Sequence, residues 1–78
     1  MSEITANRTL DCSGMNCPLP ILKTKKEVDQ MQSGEILKMI STDSGSANDM
    51  ASWANRTGHK IVDSSTEGGT YTFYIQKS

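Results

Sequence analysis

The 78-residue chain has little cysteine, little proline and no long apolar run. Its 2 cysteines allow at most one disulfide. Small cross-linked domains carry four or more, so the core is expected to hold without staples. No apolar stretch follows a basic start, as a secretory leader would require. Nowhere do about 18 apolar residues run together, so no membrane span is expected. These absences predict a cytoplasmic protein, in a compartment where a thiol stays reduced and can act as a reagent. A basic excess is also missing: 8 Lys and Arg against 9 Asp and Glu give a net charge of −1. That weighs against a dedicated nucleic-acid binder, and no membrane partner or direct nucleic-acid partner is expected. The lone His59 shares no zinc-like spacing with a cysteine, so no metal site is expected. There are no repeats, linkers or low-complexity tracts. A length of 78 residues bounds the reading to a single domain, 1–78, with a modest core.

What the chain does contain is a regular alternation of strand and helix signals. Residues 1–7 are polar and read as a frayed N-terminus. Residues 8–12, Arg-Thr-Leu-Asp-Cys, read as a short strand, and 13–16 as a loop in which Gly14 supplies a backbone conformation other residues resist. A helix is expected from Cys17-Pro18, since proline is favoured at the first helical position, and Pro20 still falls within the first turn. Ile21, Thr24, Val28 and Met31 then recur at spacings of three and four. Lys23/Glu27 and Lys26/Asp29 lie about one turn apart and are expected to pair. Ser33-Gly34 is read as the helix end. Residues 35–41 form the most apolar strand, with apolar residues on both faces, which suits a central position. Residues 42–45 read as a turn, and Ser46 with Asp49 as a capping box opening a helix over 46–57. The apolar face of that helix is Ala47, Met50, Ala51 and Ala54, and Gly58 terminates it. A weak strand over 59–65, a turn at Glu67-Gly68-Gly69 and a cleanly alternating strand over 70–77 complete the chain.

The element order is β-α-β-α-β-β. The fold class is α/β (α+β): a two-layer sandwich with a four-stranded mixed sheet and two helices on one face, reached by right-handed crossovers. In such a topology both strand-to-helix loops meet at the carboxyl edge of the strands, the usual place for a site. That edge receives Cys17 from the first loop and Asp43, Ser44 and Ser46 from the second. Cys17 precedes a helix and so meets about half a positive charge from the helix dipole, which favours the thiolate. Lysines on the same helix push in the same direction. Pro18 restricts Cys17 to extended conformations. Pro18 and Pro20 together remove two N–H donors from the first turn, leaving the sulfur outward and not fully tied down. The competing reading of any single cysteine in a small protein is a buried hydrophobe.

The run Asp11-Cys-Ser-Gly14-Met-Asn-Cys17-Pro18-Leu-Pro20 resembles the D-x-x-G-x-x-C-P-x-P signature of the TusA/SirA family of small sulfur-carrier proteins. The resemblance extends over roughly residues 8–77, through Thr42-Asp43, the second helix and the terminal Tyr-Thr-Phe-Tyr-Ile-Gln-Lys strand. It implies a two-layer sandwich like the C-terminal domain of translation initiation factor three. It also implies that Cys17 accepts sulfane sulfur and holds it as a persulfide, with Asp11, Gly14, Pro18, Pro20 and Asp43 shaping the site. Implied donors are cysteine desulfurases or rhodanese-like proteins. Implied acceptors are further relay proteins serving tRNA thiolation, molybdenum-cofactor sulfuration or sulfur oxidation. No cofactor is implied.

Two positions depart from the family pattern. Cys12 stands where many relatives have no thiol, and is expected to be a strand-end residue facing the core, the alternative being a resolving thiol for Cys17. Ser44 stands where relatives often have proline. Asp43 is expected chiefly to cap the second helix. Lys23, Lys25 and Lys26 are candidates for docking an acidic partner, or simply a solvated face. Trp53 is expected to cover the core edge, His59 to sit at a strand start, and Tyr74 to lie on the uncovered sheet face. No general base is identifiable in the chain, so partners are expected to supply further catalytic groups. The rival readings are a thiol redox sensor using Cys12 and Cys17, and a regulatory or RNA-binding module.

Overall fold

The most apolar segment of the chain organises the sheet. The computed structural model describes residues 6–16 and 19–78. Its elements are β1 (Arg8–Cys12), α1 (Leu19–Asp29), β2 (Ile36–Ser41), α2 (Ser44–Thr57), β3 (Lys60–Glu67) and β4 (Thr70–Gln76). The strand order is β1-β2-β4-β3, a mixed sheet with β2 and β4 at its centre. β1 runs parallel to β2, and β4 runs antiparallel to both β2 and β3. Each helix therefore links strands of the same direction, α1 between neighbours and α2 across β4.

Alternation along β2 explains why the helices cover one face. Leu37, Met39 and Ser41 are buried, while Ile36, Lys38 and Ile40 on the opposite face are only half-buried. The buried set pairs with Ile75, Phe73 and Tyr71 of β4 and with Leu10 and Cys12 of β1. Onto this face α1 lays Pro20, Thr24 and Val28, and α2 lays Ser46, Met50, Trp53 and Ala54. The resulting core contains Cys12, Val28, Met31, Leu37, Met39, Met50, Trp53, Ala54 and Ile75. Fully burying a side chain such as Leu37 or Ile75 contributes on the order of 1.5–3 kcal/mol. Tyr74, Ile36 and Ile40 are half-buried on the face without helices.

Several element ends differ from the sequence expectation, each for a local reason. α1 stops at Asp29, not at Ser33-Gly34. Tight turns follow, with Gln30 N–H donating to Glu27 O at 3.1 Å and Met31 N–H to Val28 O at 2.9 Å. Met31 thus keeps its place on the apolar stripe after the helix has ended. Gly34 (φ 87°) serves the sheet instead, its N–H donating to Lys77 O at 2.8 Å. α2 begins at Ser44 and its N-cap is Asp43, so the Ser46/Asp49 capping box and the turn over 42–45 are not what forms. β3 runs on to Glu67, leaving Gly68-Gly69 as a two-residue hairpin turn with both glycines at positive φ, the pairing such tight turns require. His59 precedes β3 rather than opening it. It stacks against buried Trp53, with ring centroids 5.4 Å apart, and its Nδ1 accepts from Ser78 N–H at 3.2 Å. The expected Lys23/Glu27 and Lys26/Asp29 pairs are replaced by Arg8–Glu27 at 2.9 Å and Lys25–Asp29 at 3.0 Å. The expected start of α1 at Cys17-Pro18, and residues 1–5 of the N-terminus read as frayed over 1–7, lie outside the described residues. At its described end that reading is corrected, because Asn7 is tied to β2, its N–H donating to Ile36 O at 2.7 Å and its Oδ1 accepting from Ile36 N–H at 2.9 Å.

Candidate functional site at the carboxyl edge of the parallel strands

Two loops meet where β1 and β2 end side by side, Cys12 opposite Ser41. The first loop is shaped from its own residues. Asp11 Oδ1 accepts from Ser13 N–H at 2.9 Å, an Asx-type turn that starts the reversal. Met15 N–H then donates to Cys12 O at 3.1 Å, with Gly14 at φ 80° inside the turn. A residue with a Cβ is disfavoured at that φ. Leu19 N–H donates to Asn16 O at 2.9 Å, so the two residues that bracket Cys17 and Pro18 are tied to each other. Cys17 and Pro18 themselves lie outside the described residues.

The second loop fastens the first. Thr42 Oγ1 accepts from Gly14 N–H at 2.9 Å, joining positions 28 residues apart. Asp43 Oδ2 accepts from both Ser46 N–H at 2.8 Å and Ser46 Oγ at 2.9 Å. The first of these satisfies one of the orphan donors at the α2 N-terminus. Asp43 N–H donates in turn to Ser41 Oγ at 3.2 Å. The buried polar side chains among the described residues are Ser41 at the end of β2, Ser46 in the first turn of α2 and Thr24 of α1. Thr24 Oγ1 donates to Pro20 O at 2.7 Å. Pro20 sits in the first turn of α1, where its missing N–H costs no helical bond, and its ring is buried. No buried side-chain polar atom among the described residues lacks a partner.

The charged groups around the edge have distinct settings. The Ser13 hydroxyl, and next the Ser13 N–H, hold the exposed Asp11 carboxyl below its ordinary value of 3.8. Cys12 is buried within the core, not at the surface of the loop. Burial pushes its thiol above the ordinary value of 9.0, Asp11 adds to the rise, and Lys23 opposes it. Lys23 therefore lies within electrostatic reach of the end of β1. Lys23, Lys25 and Lys26 are all exposed, and Lys25 is paired with Asp29. Among the described residues no group of three or more His, Cys, Asp or Glu gathers as a metal site, and no helix is long and apolar enough to cross a membrane.

The structure thus brings Asp11, Gly14 and Asp43 to one edge, with Pro20 packed beneath it and Lys23 beside it. Sequence reasoning missed Ser13 and Thr42 as the partners that hold this edge. Asp-x-Ser is a local turn signal and could have been found. The Thr42 hydroxyl has its partner far along the chain, and no local pattern announces that. Two leucines also escaped notice: Leu19 and Leu22 of α1 are the exposed large hydrophobic residues among those described. A helical wheel drawn on the stripe of Thr24 and Val28 would have placed them opposite it.

Comparison with known proteins agrees with this fold. A family profile described as Sulfurtransferase TusA matches residues 8–77. The chain is 47% identical over 72 residues to the sulfur carrier protein TusA of Allochromatium vinosum, covering 92% of this chain and 95% of that one. It is 34% identical over 77 residues to the sulfur carrier protein TusA of Pseudomonas putida, covering 99% and 96%. In three dimensions it resembles the crystal structure of a SirA-like protein from Desulfitobacterium hafniense, with a TM-score of 0.77, 20% identity and coverage of 88% of this chain and 95% of that one. At that identity the structural likeness speaks for the fold alone.

Proposed function

Because the chain belongs to the TusA family, we propose that this sulfur carrier holds its sulfur on Cys17 as a persulfide and relays it between two proteins. The observation that carries the reading is that the described part of the D-x-x-G-x-x-C-P-x-P run before Cys17, residues 11–16, leaves the carboxyl end of β1 beside that of β2 and is pinned to the second loop by Gly14 N–H and Thr42 Oγ1. Cys17 lies two residues before the first described residue of α1, and a helix N-terminus favours a thiolate over a thiol.

The transfer needs one nucleophile and one leaving group. The Cys17 thiolate attacks the outer sulfur of a donor persulfide. A sulfur–sulfur bond forms at Cys17, the donor's sulfur–sulfur bond breaks, and the donor departs as a thiolate. Delivery repeats the step with an acceptor thiolate as attacker and Cys17 as leaving group. There is no net redox change, which is why no cofactor is required. Donors of the cysteine desulfurase or rhodanese-like class and an acceptor relay protein suit this chemistry. tRNA thiolation, molybdenum-cofactor sulfuration or sulfur oxidation lie downstream, and the setting is the cytoplasm. A switch in which Cys12 resolves the Cys17 persulfide is less favoured, since Cys12 is buried in the core and its thiol is pushed up.

Intact-protein mass spectrometry after incubation with a persulfide donor tests the proposal. The expected result is a gain of one sulfur mass by the wild type and by Cys12→Ser, and none by Cys17→Ser. A wild type that gains nothing, or a Cys17→Ser variant that loads as well as the wild type, would overturn it.

A further inference from the structure

A sulfur relay demands that the carrier be recognised by at least two other proteins, and the outward face of α1 is built unlike a solvated one. Pro20, Thr24 and Val28 are buried against the sheet. The residues opposite them at helical spacing are Leu19, Leu22, Lys23 and Lys26, at i, i+3, i+4 and i+7. Leu19 is 49% exposed and Leu22 55% exposed, and no other large hydrophobic residue among those described is exposed. The exposed large hydrophobic side chains of the described surface therefore both fall on the first turn after the C-P-x-P thiol. Such a patch carries a cost in water that a partner would remove.

The charges beside the leucines say what kind of partner. Both carboxylates of α1 are engaged elsewhere, Glu27 by Arg8 and Asp29 by Lys25. Lys23 and Lys26 form no ion pair among the described residues. We infer that Leu19 and Leu22 form the apolar centre, and Lys23 and Lys26 the cationic rim, of a docking surface for a protein that presents an apolar pocket edged with carboxylates. A second copy of this chain fits poorly, because a two-fold contact would set the same lysines against each other. A lipid surface fits poorly as well, because two leucines on one turn of a chain with net charge −1 give little to insert and little attraction to anionic headgroups.

This inference rests on the carrier reading above, and the test separates the two. Loading of Cys17 is followed by mass spectrometry from glutathione persulfide, a donor too small to need docking. It is followed in parallel from two protein donors, a cysteine desulfurase supplied with cysteine and a rhodanese supplied with thiosulfate. Leu19→Ser/Leu22→Ser and Lys23→Glu/Lys26→Glu are exposed changes whose folding is checked by circular dichroism. The expected result is that, for at least one protein donor, loading divided by loading of the same variant from glutathione persulfide falls about tenfold or more in each double variant, as for the centre of an interface. The division removes any change in Cys17 reactivity that follows from the lost lysine charge. An unchanged ratio for both protein donors overturns the inference, as does a wild type loaded by glutathione persulfide but by neither protein. Leucine-dependent dimerisation, or leucine-dependent cosedimentation with phosphatidylglycerol vesicles, overturns it too. A wild type loaded by nothing marks the failure of the carrier reading itself.

Discussion

Replacing Asp43 by alanine should cost far more than the loss of one exposed carboxylate, because one oxygen of Asp43 serves two donors. The bond from Ser46 N–H at 2.8 Å is a helix cap, and losing such a cap costs about 1 kcal/mol. The bond from Ser46 Oγ at 2.9 Å belongs to a hydroxyl with no exposure to water. Stranding a buried donor costs about 1–3 kcal/mol. The sum is about 2–4 kcal/mol, and in a domain of this size each kcal/mol lowers Tm by about 4–8 °C. Asp43→Ala should therefore melt about 8–32 °C below the wild type by circular dichroism. Ser46→Ala removes the stranded hydroxyl, so in that background Asp43→Ala should cost only the cap, about 1 kcal/mol. Asp43→Asn keeps an acceptor oxygen and should recover most of the loss. A double-mutant cycle in urea reads the coupling, expected at about 1–3 kcal/mol, the part that the stranded hydroxyl contributes. Additive effects, with coupling under about 0.5 kcal/mol, would refute the shared-acceptor account. Asp43 would then act on the site by some route other than the helix terminus.

Other outcomes follow from the same edge. Gly14→Ala should destabilise by about 1–2 kcal/mol through backbone strain alone, since a Cβ there meets nothing within 4 Å; D-alanine introduced by synthesis should be tolerated, and equal melting of the two would contradict this. In Cys17→Ser protein, Cys12 should resist Ellman's reagent until the chain is unfolded in guanidinium, because its thiol is buried; prompt labelling of the native protein would show the core open at β1. A thiol held above 9.0 in the fold keeps a proton that the unfolded chain releases. Stability should therefore fall as pH rises past that value, and Cys12→Ala in the Cys17→Ser background should flatten the fall seen in thermal melts. Asp11 runs the other way: its lowered carboxyl supports the fold above the ordinary value of 3.8 and the support is lost as pH falls through the lowered value. Ser13→Ala should move the Asp11 titration, followed by carboxyl carbon NMR, back up towards 3.8.

Periodicity carried the architecture well. The alternation of β2 and β4, and the spacing of Thr24, Val28 and Met31, sufficed to order the elements and to put both helices on one face of a mixed sheet. Boundaries were less legible where one residue type serves two purposes. Asp43 reads correctly as a cap of the second helix, but Ser44-Gly45 reads as a turn and Ser46 as the opening of the helix, whereas the helix starts at Ser44 and the Asp43 carboxylate reaches three residues into it. Gly34 reads as a helix terminator, but its N–H is spent on the strand of Lys77. The Arg8–Glu27 pair spans 19 positions, and no local charge pattern reveals it. The D-x-x-G-x-x-C-P-x-P run was visible at once. What it could not show was how its loop is held, because Gly14 and Thr42 meet only when β1 and β2 lie side by side.

The strand order has a bearing on how the polypeptide is made. β4 is translated after every other element, yet it is wedged between β2 and β3 and donates to or accepts from both. Until it emerges, β2 presents an unzipped margin carrying the most apolar sequence in the chain, and β3 has nothing to pair with. Nascent protein in that interval is exposed to mispairing with its neighbours. The two glycines of the β3–β4 turn, already suited to a reversal of one fixed hand, would shorten that window by folding the late strand back as soon as it appears.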